Sequence, residues 1–227
     1  MIYITGDTHI PIDINKLLTI NFPEQEKLSK NDFLIICGDF GGVWDNSDEE
    51  ICWRNWLNER NFTTLFVDGN HENFDLLEQY EIKEWKNGKV HFINDSVIHL
   101  MRGQIFNING FTFFTMGGAT SIDKYRRIEG KSWWNNEIPS KKEYEEALDN
   151  LDKQNWKVDY VISHTASIKI IQNLLSDINE SNSLNSFFNL LEDRLDYKHW
   201  YFGHFHYDYN FEDNKHTLLY KKIIKLI

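Results

Sequence analysis

Short apolar runs separated by polar stretches dominate the first half of the chain, at residues 2–4, 33–37 and 64–67, each closed by a glycine-containing turn. Runs of this length bounded by turn residues read as buried strands, and their alternation with helix-like stretches predicts an α/β arrangement. Between the second and third runs, residues 48–60 carry Ile51, Trp53, Trp56 and Leu57 at roughly helical spacing. Asp48, Glu49 and Glu50 occupy the first turn, where acidic side chains suit the helix dipole. A helix is predicted there.

From Val90 the pattern becomes β-rich, with strands predicted at 90–93, 97–100, 104–108 and 111–116. Asn109-Gly110 between the last two is a hairpin signal, and these strands are expected to be antiparallel neighbours. Ser140-Lys141-Lys142-Glu143 has capping-box form and opens a polar helix to about residue 154, followed by an apolar strand at 160–163. Further helices are predicted at 167–175 and 184–194, and strands at 200–202, 207–211, 217–220 and 223–227. With no internal repeat, no low-complexity tract and no Pro/Gly-rich linker, residues 1–227 are read as one domain.

Composition narrows the class without naming an activity. No stretch approaches the roughly 18 to 20 apolar residues of a membrane span. The chain starts directly on a strand, without the basic head and apolar core of a secretory signal, and a cytoplasmic location is expected. Cys37 and Cys52 are too few for a disulfide framework. A net charge of −11 argues against a broad footprint on duplex nucleic acid, which relies on many Lys and Arg against phosphates. It does not exclude a phosphorylated small-molecule or nucleotide substrate, because acidic residues gathered at a metal centre are offset by the cations. The pattern says nothing of oligomeric state.

Five segments place oxygen or imidazole ligands immediately behind apolar runs: Gly6-Asp7-Thr8-His9, Gly38-Asp39-Phe40-Gly41-Gly42, Gly69-Asn70-His71-Glu72, Ser163-His164 and Gly203-His204-Phe205-His206. Loops converge at the carboxyl ends of strands in open α/β sheets, so distant segments can build one site. Glycine before a ligand lets the chain turn sharply and lets backbone come close to a bound group. Carboxylate, imidazole and carboxamide together suit borderline divalent ions, with Mn²⁺ preferred here and Fe, Zn or Ni as alternatives, over Ca²⁺ with its all-oxygen shell. Taken alone, a Gly-Asp turn or a solitary His behind a strand is ordinarily structural, and the joint occurrence carries the inference.

In order and spacing the five segments resemble the motifs of the calcineurin-like metallophosphoesterases. The resemblance spans residues 6–206 and implies a four-layer α/β/β/α sandwich with two mixed sheets. The change in strand character near Val90 would mark the second sheet. It further implies that Asp7, His9 and His206 hold one metal, that Asn70, His164 and His204 hold another, and that Asp39 bridges the two. Such a pair can share a hydroxide as nucleophile for in-line displacement at phosphorus. His71 is implied as the catalytic residue, by leaving-group protonation or transition-state stabilisation, work that suits a group with an ordinary pKa of roughly 6.5. Glu72 and Asp68 are expected behind the ligands, orienting an imidazole.

The long non-periodic stretch at about 117–139 is expected on the substrate side, with Lys124, Arg126 and Arg127 gripping phosphate and Trp133 or Trp134 covering the leaving group. The competing reading is a surface loop pinned by tryptophan burial. His91, His99, His199 and His216 fall outside any motif and are expected to be structural or exposed. The second motif continues Phe40-Gly41-Gly42-Val43, without the phosphate-binding Arg of the protein phosphatase branch, which tilts the expected reaction from phosphomonoesters to phosphodiesters of a nucleotide or nucleic-acid end. A non-catalytic metal-binding scaffold for a protein partner is the rival of another class. The intact His71 and complete ligand set argue against it.

Overall fold

The computed structural model describes residues 1–174 and 182–227. In chain order, β1 (Ile2–Thr5), β2 (Phe33–Cys37), α1 (Asp48–Asn58), β3 (Thr63–Val67) and α2 (Phe74–Leu77) are followed by β4 (Ile82–Trp85), β5 (Gly88–Asn94) and β6 (Val97–Leu100). The remainder comprises β7 (Gln104–Ile108), β8 (Phe111–Met116), α3 (Lys141–Lys153), β9 (Tyr160–Ser163), α4 (Ile168–Leu174), α5 (Ser183–Arg194), β10 (His199–Phe202), β11 (Tyr209–Asn210), β12 (His216–Leu218) and β13 (Ile224–Lys225).

These strands form two mixed sheets, ordered β13-β1-β2-β3-β6-β5-β4 and β11-β12-β10-β9-β8-β7. Each has a parallel centre, β1-β2-β3-β6 in one and β8-β9-β10-β12 in the other, flanked by antiparallel edges.

Period-two alternation sends successive residues of a strand to opposite faces, and here both faces are covered, so the central strands are apolar throughout. Ile2, Ile4, Phe33, Ile35 and Leu65 of the first sheet meet Phe106, Ile108, Phe113 and Ile162 of the second in one core. The alternate residues Tyr3, Leu34, Ile36 and Phe66 pack outward against Leu57 of α1, Leu77 of α2 and the segment holding Ile14, Leu17 and Phe22. On the far side, Phe114, Val161, Trp200 and Phe202 pack against Ala147, Leu151, Ile171, Phe188 and Leu191 of α3, α4 and α5. The result is the expected four-layer α/β/β/α sandwich.

The second sheet does not begin near Val90, however. β5 and β6 stay on the first sheet, and the chain crosses only between Leu100 and Gln104. A hairpin has the same alternation on either sheet, so strand character alone could not locate the crossing. The polar edge strand β4 and the short α2 carry too little periodicity to have been anticipated. Helix α1 is capped by Ser47, which accepts from the Glu50 N–H, and α3 has the full capping box of Ser140 and Glu143. The helix expected at 167–175 is described as Ile168–Leu174, and residue 175 lies outside the described residues.

Candidate metal centre

Asp7, Asp39 and Asn70 follow the carboxyl ends of β1, β2 and β3, while His164 follows β9 and His204 and His206 follow β10. Both sheets therefore deliver side chains to one edge. His9 Nε2 lies 3.1 Å from Asp39 Oδ2, His164 Nε2 3.2 Å from Asp39 Oδ1, and His206 Nε2 3.3 Å from Asp7 Oδ2. His164 Nε2 also lies 3.2 Å from Asn70 Oδ1, and the rings of His164 and His204 are 4.9 Å apart. All seven residues thus converge.

Backbone geometry at the centre is costly. His9, Asp39, His204 and His206 take φ of 35°, 45°, 76° and 54°, in the left-handed region that non-glycine residues seldom occupy. Strain of this kind persists where the surroundings hold it, and it collects at functional sites. Two glycines serve close approach. A Cβ on Gly69 would stand 2.0 Å from Asp39 Oδ1, and one on Gly203 2.2 Å from Asp7 Oδ1. Each of these two glycines thus leaves room for a carboxylate from a different motif.

Asp7 and Asp39 are both sealed from solvent, yet their carboxyls titrate below the ordinary range, Asp39 far below. Burial opposes this, and the surrounding imidazoles outweigh it. Burial likewise works to keep His164 neutral, but Asp39 and Asp7 raise its pKa to about 9. His164 Nδ1 donates to the Cys37 carbonyl at 2.8 Å, so Nε2 faces the carboxylates. Two buried carboxylates ringed by imidazoles make a donor set that calls for positive charge, and divalent cations fit it. Asp7, His9, Asp39 and His206 offer ligand atoms all within 4.8 Å of one another, as do Asp39, His164 and His204, with Asp39 common to both groups.

Several supporting residues escaped the sequence reading. Asp13 Oδ2 lies 3.0 Å from His9 Nδ1, and the Tyr220 hydroxyl donates to Asp13 Oδ1 at 2.9 Å. The Tyr220 ring stacks on His206 with centroids 5.0 Å apart. Lys16 donates to the Gly6, Asp7 and Tyr220 carbonyls, tying the end of β1 to the C-terminal segment, and burial draws its pKa down to about 8. Glu137, fully buried, accepts from the Ser121 N–H and hydroxyl, both at 2.9 Å, and the Asn70 Nδ2 donates to Ser121 Oγ at 3.1 Å. That chain turns Asn70 Oδ1 inward. Only the four-residue spacing of His9 and Asp13 is visible in sequence.

Of Lys124, Arg126 and Arg127, only Arg127 reaches the centre, with Nη1 3.2 Å from His71 Nδ1 and Nε 2.7 Å from Asp123. Lys124 and Arg126 lie instead over the rings of Trp133 and Tyr125. Trp134 is buried, donating to Asp75 and packed edge-on to Trp44, and so anchors the loop.

Neither acidic residue placed behind the ligands orients an imidazole of the centre. The Asp68 carboxylate is held by Arg102 at 2.6 Å and by His99 at 3.1 Å, and Arg102 also donates to the Asn136 carbonyl of the loop. Glu72 accepts from the Phe40 N–H at 2.7 Å, bracing the second motif, while its Oε2 finds no partner among the described residues. Burial, reinforced by the charge of Asp39, raises its pKa well above the usual carboxyl range.

Two clefts adjoin the cluster. One, of about 450 Å³, includes Asn70, Ser121, Arg127, Asn182, Asn185 and Phe205. The other, of about 490 Å³, includes His9, Ile12, Trp44 and Tyr220. The walls they share are His71 and His206.

The family model of the calcineurin-like phosphoesterases matches residues 1–208. No curated protein sequence matches the chain. Among solved structures, the phosphopantetheinyl hydrolase from Mycobacterium tuberculosis is 14% identical, with a TM-score of 0.43 over 96% of this chain and 87% of that one. No helix among the described residues is long and apolar enough to cross a membrane.

Proposed function

The chain belongs to the calcineurin-like phosphoesterase family, and from that premise we propose that this metal-dependent phosphoesterase acts on phosphodiesters of a nucleotide or nucleic-acid end. In this reading Asp7, His9 and His206 hold one divalent ion, Asn70, His164 and His204 hold the other, and Asp39 bridges them, in agreement with the two ligand groups that share Asp39. Bound ions supply water activation and neutralise the phosphoryl oxygens. Mn²⁺ is the preferred ion, because a mixed carboxylate, imidazole and carboxamide set suits it.

The observation that carries the diester preference is the pair of clefts meeting at His71 and His206. A diester has two substituents on phosphorus, and two clefts offer each one a wall. Arg127 favours a second reading, a phosphomonoesterase, since its guanidinium stands beside His71. Its charge is already paired with Asp123, which weakens its grip on a dianion. With Mn²⁺ added, bis(4-nitrophenyl) phosphate is expected to be turned over with higher kcat/KM than 4-nitrophenyl phosphate. The reverse order would replace the diester reading by the monoester one.

His71 acts in this scheme through its Nε2. Arg127 can only donate, so His71 Nδ1 must accept and the ring proton sits on Nε2. Burial lowers its pKa, and Arg127 lowers it further against the pull of Asp39. A neutral imidazole is a poor proton source but a good hydrogen-bond donor to charge developing on a phosphoryl or leaving oxygen.

Asn70 depends on its support. Glu137→Ala frees Ser121 and lets the Asn70 amide turn, and Mn²⁺ affinity, read by calorimetric titration, is expected to fall by about 10-fold or more. Glu137→Gln keeps an acceptor for the Ser121 hydroxyl and should lose less. Unchanged affinity in both variants would mean that Asn70 is oriented without this chain.

A further inference from the structure

We infer that the cleft bounded by Ile12, Trp44 and Tyr220 is the subsite for a planar aromatic ring carried by one arm of the substrate, an aryl group or a nucleobase. The inference rests on the diester reading, since it assigns one of the two clefts to one of the two arms. Trp44 and Tyr220 stand with His9, His71 and His206 around the same cavity, so an arm lying there leaves its phosphorus beside the cluster.

The walls are built before any ligand arrives. Tyr220 is fixed by stacking on His206 and by its hydroxyl on Asp13. Trp44 is fixed by its backbone N–H on Glu50 at 3.0 Å, its carbonyl on Asn73 at 2.7 Å, and its indole, which packs edge-on to Trp134 with centroids 5.4 Å apart. Preorganised aromatic walls lose little freedom on binding, which favours a rigid flat guest. Asp13, the acidic group of this cleft, is engaged by His9 and Tyr220. It therefore presents little free charge to a guest.

Ile12 is the second sign. It is 74% exposed, and its neighbour Ile10 is buried, so the lip of the cleft presents a large aliphatic side chain to water that the core does not use. The other cleft sets Asn182, Asn185, Ser121 and Arg127 beside Ile122, Ile171 and Phe205, so it adds polar groups suited to a sugar or a second phosphate to an apolar floor. What sets the first cleft apart is its Trp and Tyr together, without the Arg that lines the other, and these assign the aromatic arm to the Trp44 side.

Inhibition by non-hydrolysable phosphonates tests this without relying on turnover of either arm. Phenylphosphonate is expected to inhibit the Mn²⁺-loaded protein about 10-fold more strongly than methylphosphonate, as stacking on such walls allows. Trp44→Ala and the exposed-site variant Ile12→Ser should each narrow that gap and raise KM for bis(4-nitrophenyl) phosphate, while circular dichroism and metal content stay as in the unaltered chain. Equal inhibition by the two phosphonates, or a gap unchanged in both variants, overturns the subsite. Failure of the diester reading shows separately, as faster hydrolysis of 4-nitrophenyl phosphate by the unaltered chain.

Discussion

Asp39→Asn is expected to abolish occupancy of both cation positions and to lower kcat by roughly 10³-fold or more, the scale set by losing metal-assisted chemistry. Asp39 is 1% exposed and lies against His9, His164 and the His71 N–H, which donates to its Oδ1 at 2.8 Å. In the asparagine variant that N–H claims the amide oxygen. The amide nitrogen then faces His9 Nε2, presenting donors where an acceptor stands now. One of two buried negative charges is lost as well, and cation binding at this centre draws on both. Elemental analysis after Mn²⁺ reconstitution and dialysis measures the first effect, and bis(4-nitrophenyl) phosphate turnover the second. Retention of two ions per chain would remove Asp39 from the bridging position.

His71→Ala should behave differently, leaving the ions bound and lowering kcat by about 10²-fold, with smaller change in KM. His71 belongs to neither group of converging ligand atoms, and Arg127 occupies its Nδ1. Metal loss in this variant would move His71 from the reaction to ligation. The same geometry has a pH consequence. Because burial depresses the His71 pKa, with Asp39 opposing it, the imidazole takes up its proton at lower pH than an ordinary histidine. The kcat profile should therefore carry no acid limb at about 6.5 from this residue. A limb there that vanishes in His71→Ala would restore the proton-donor role.

The five motifs were legible because each is local: a ligand sits one to four residues beyond an apolar strand, and the strand, with a glycine turn in four of the five, announces itself within a short window. The helix start at Ser140 was legible for the same reason, since a cap is satisfied within three residues. By contrast, Lys124, Arg126 and Arg127 look alike in sequence. In a loop anchored by Trp134 on Asp75, Arg127 is held toward the centre by Asp123 and the Ser132 carbonyl, while the other two lie over aromatic rings.

Asp68 and Glu72 show how adjacency misleads. They flank the Asn70-His71 pair, but alternating direction and burial send Asp68 to Arg102 and His99 and Glu72 to the backbone of the second motif. The supports that matter come from far along the chain: Glu137 acts on Asn70 through Ser121, and Lys16 binds the Tyr220 carbonyl 204 positions away. Sequence alone therefore determined the strands other than β4, the family and the seven residues that converge, because these rest on short-range periodicity and motif order. Tertiary structure alone decided where the second sheet begins, which cation faces the centre and what braces each ligand. Those outcomes depend on packing between segments whose separation along the chain leaves no local trace.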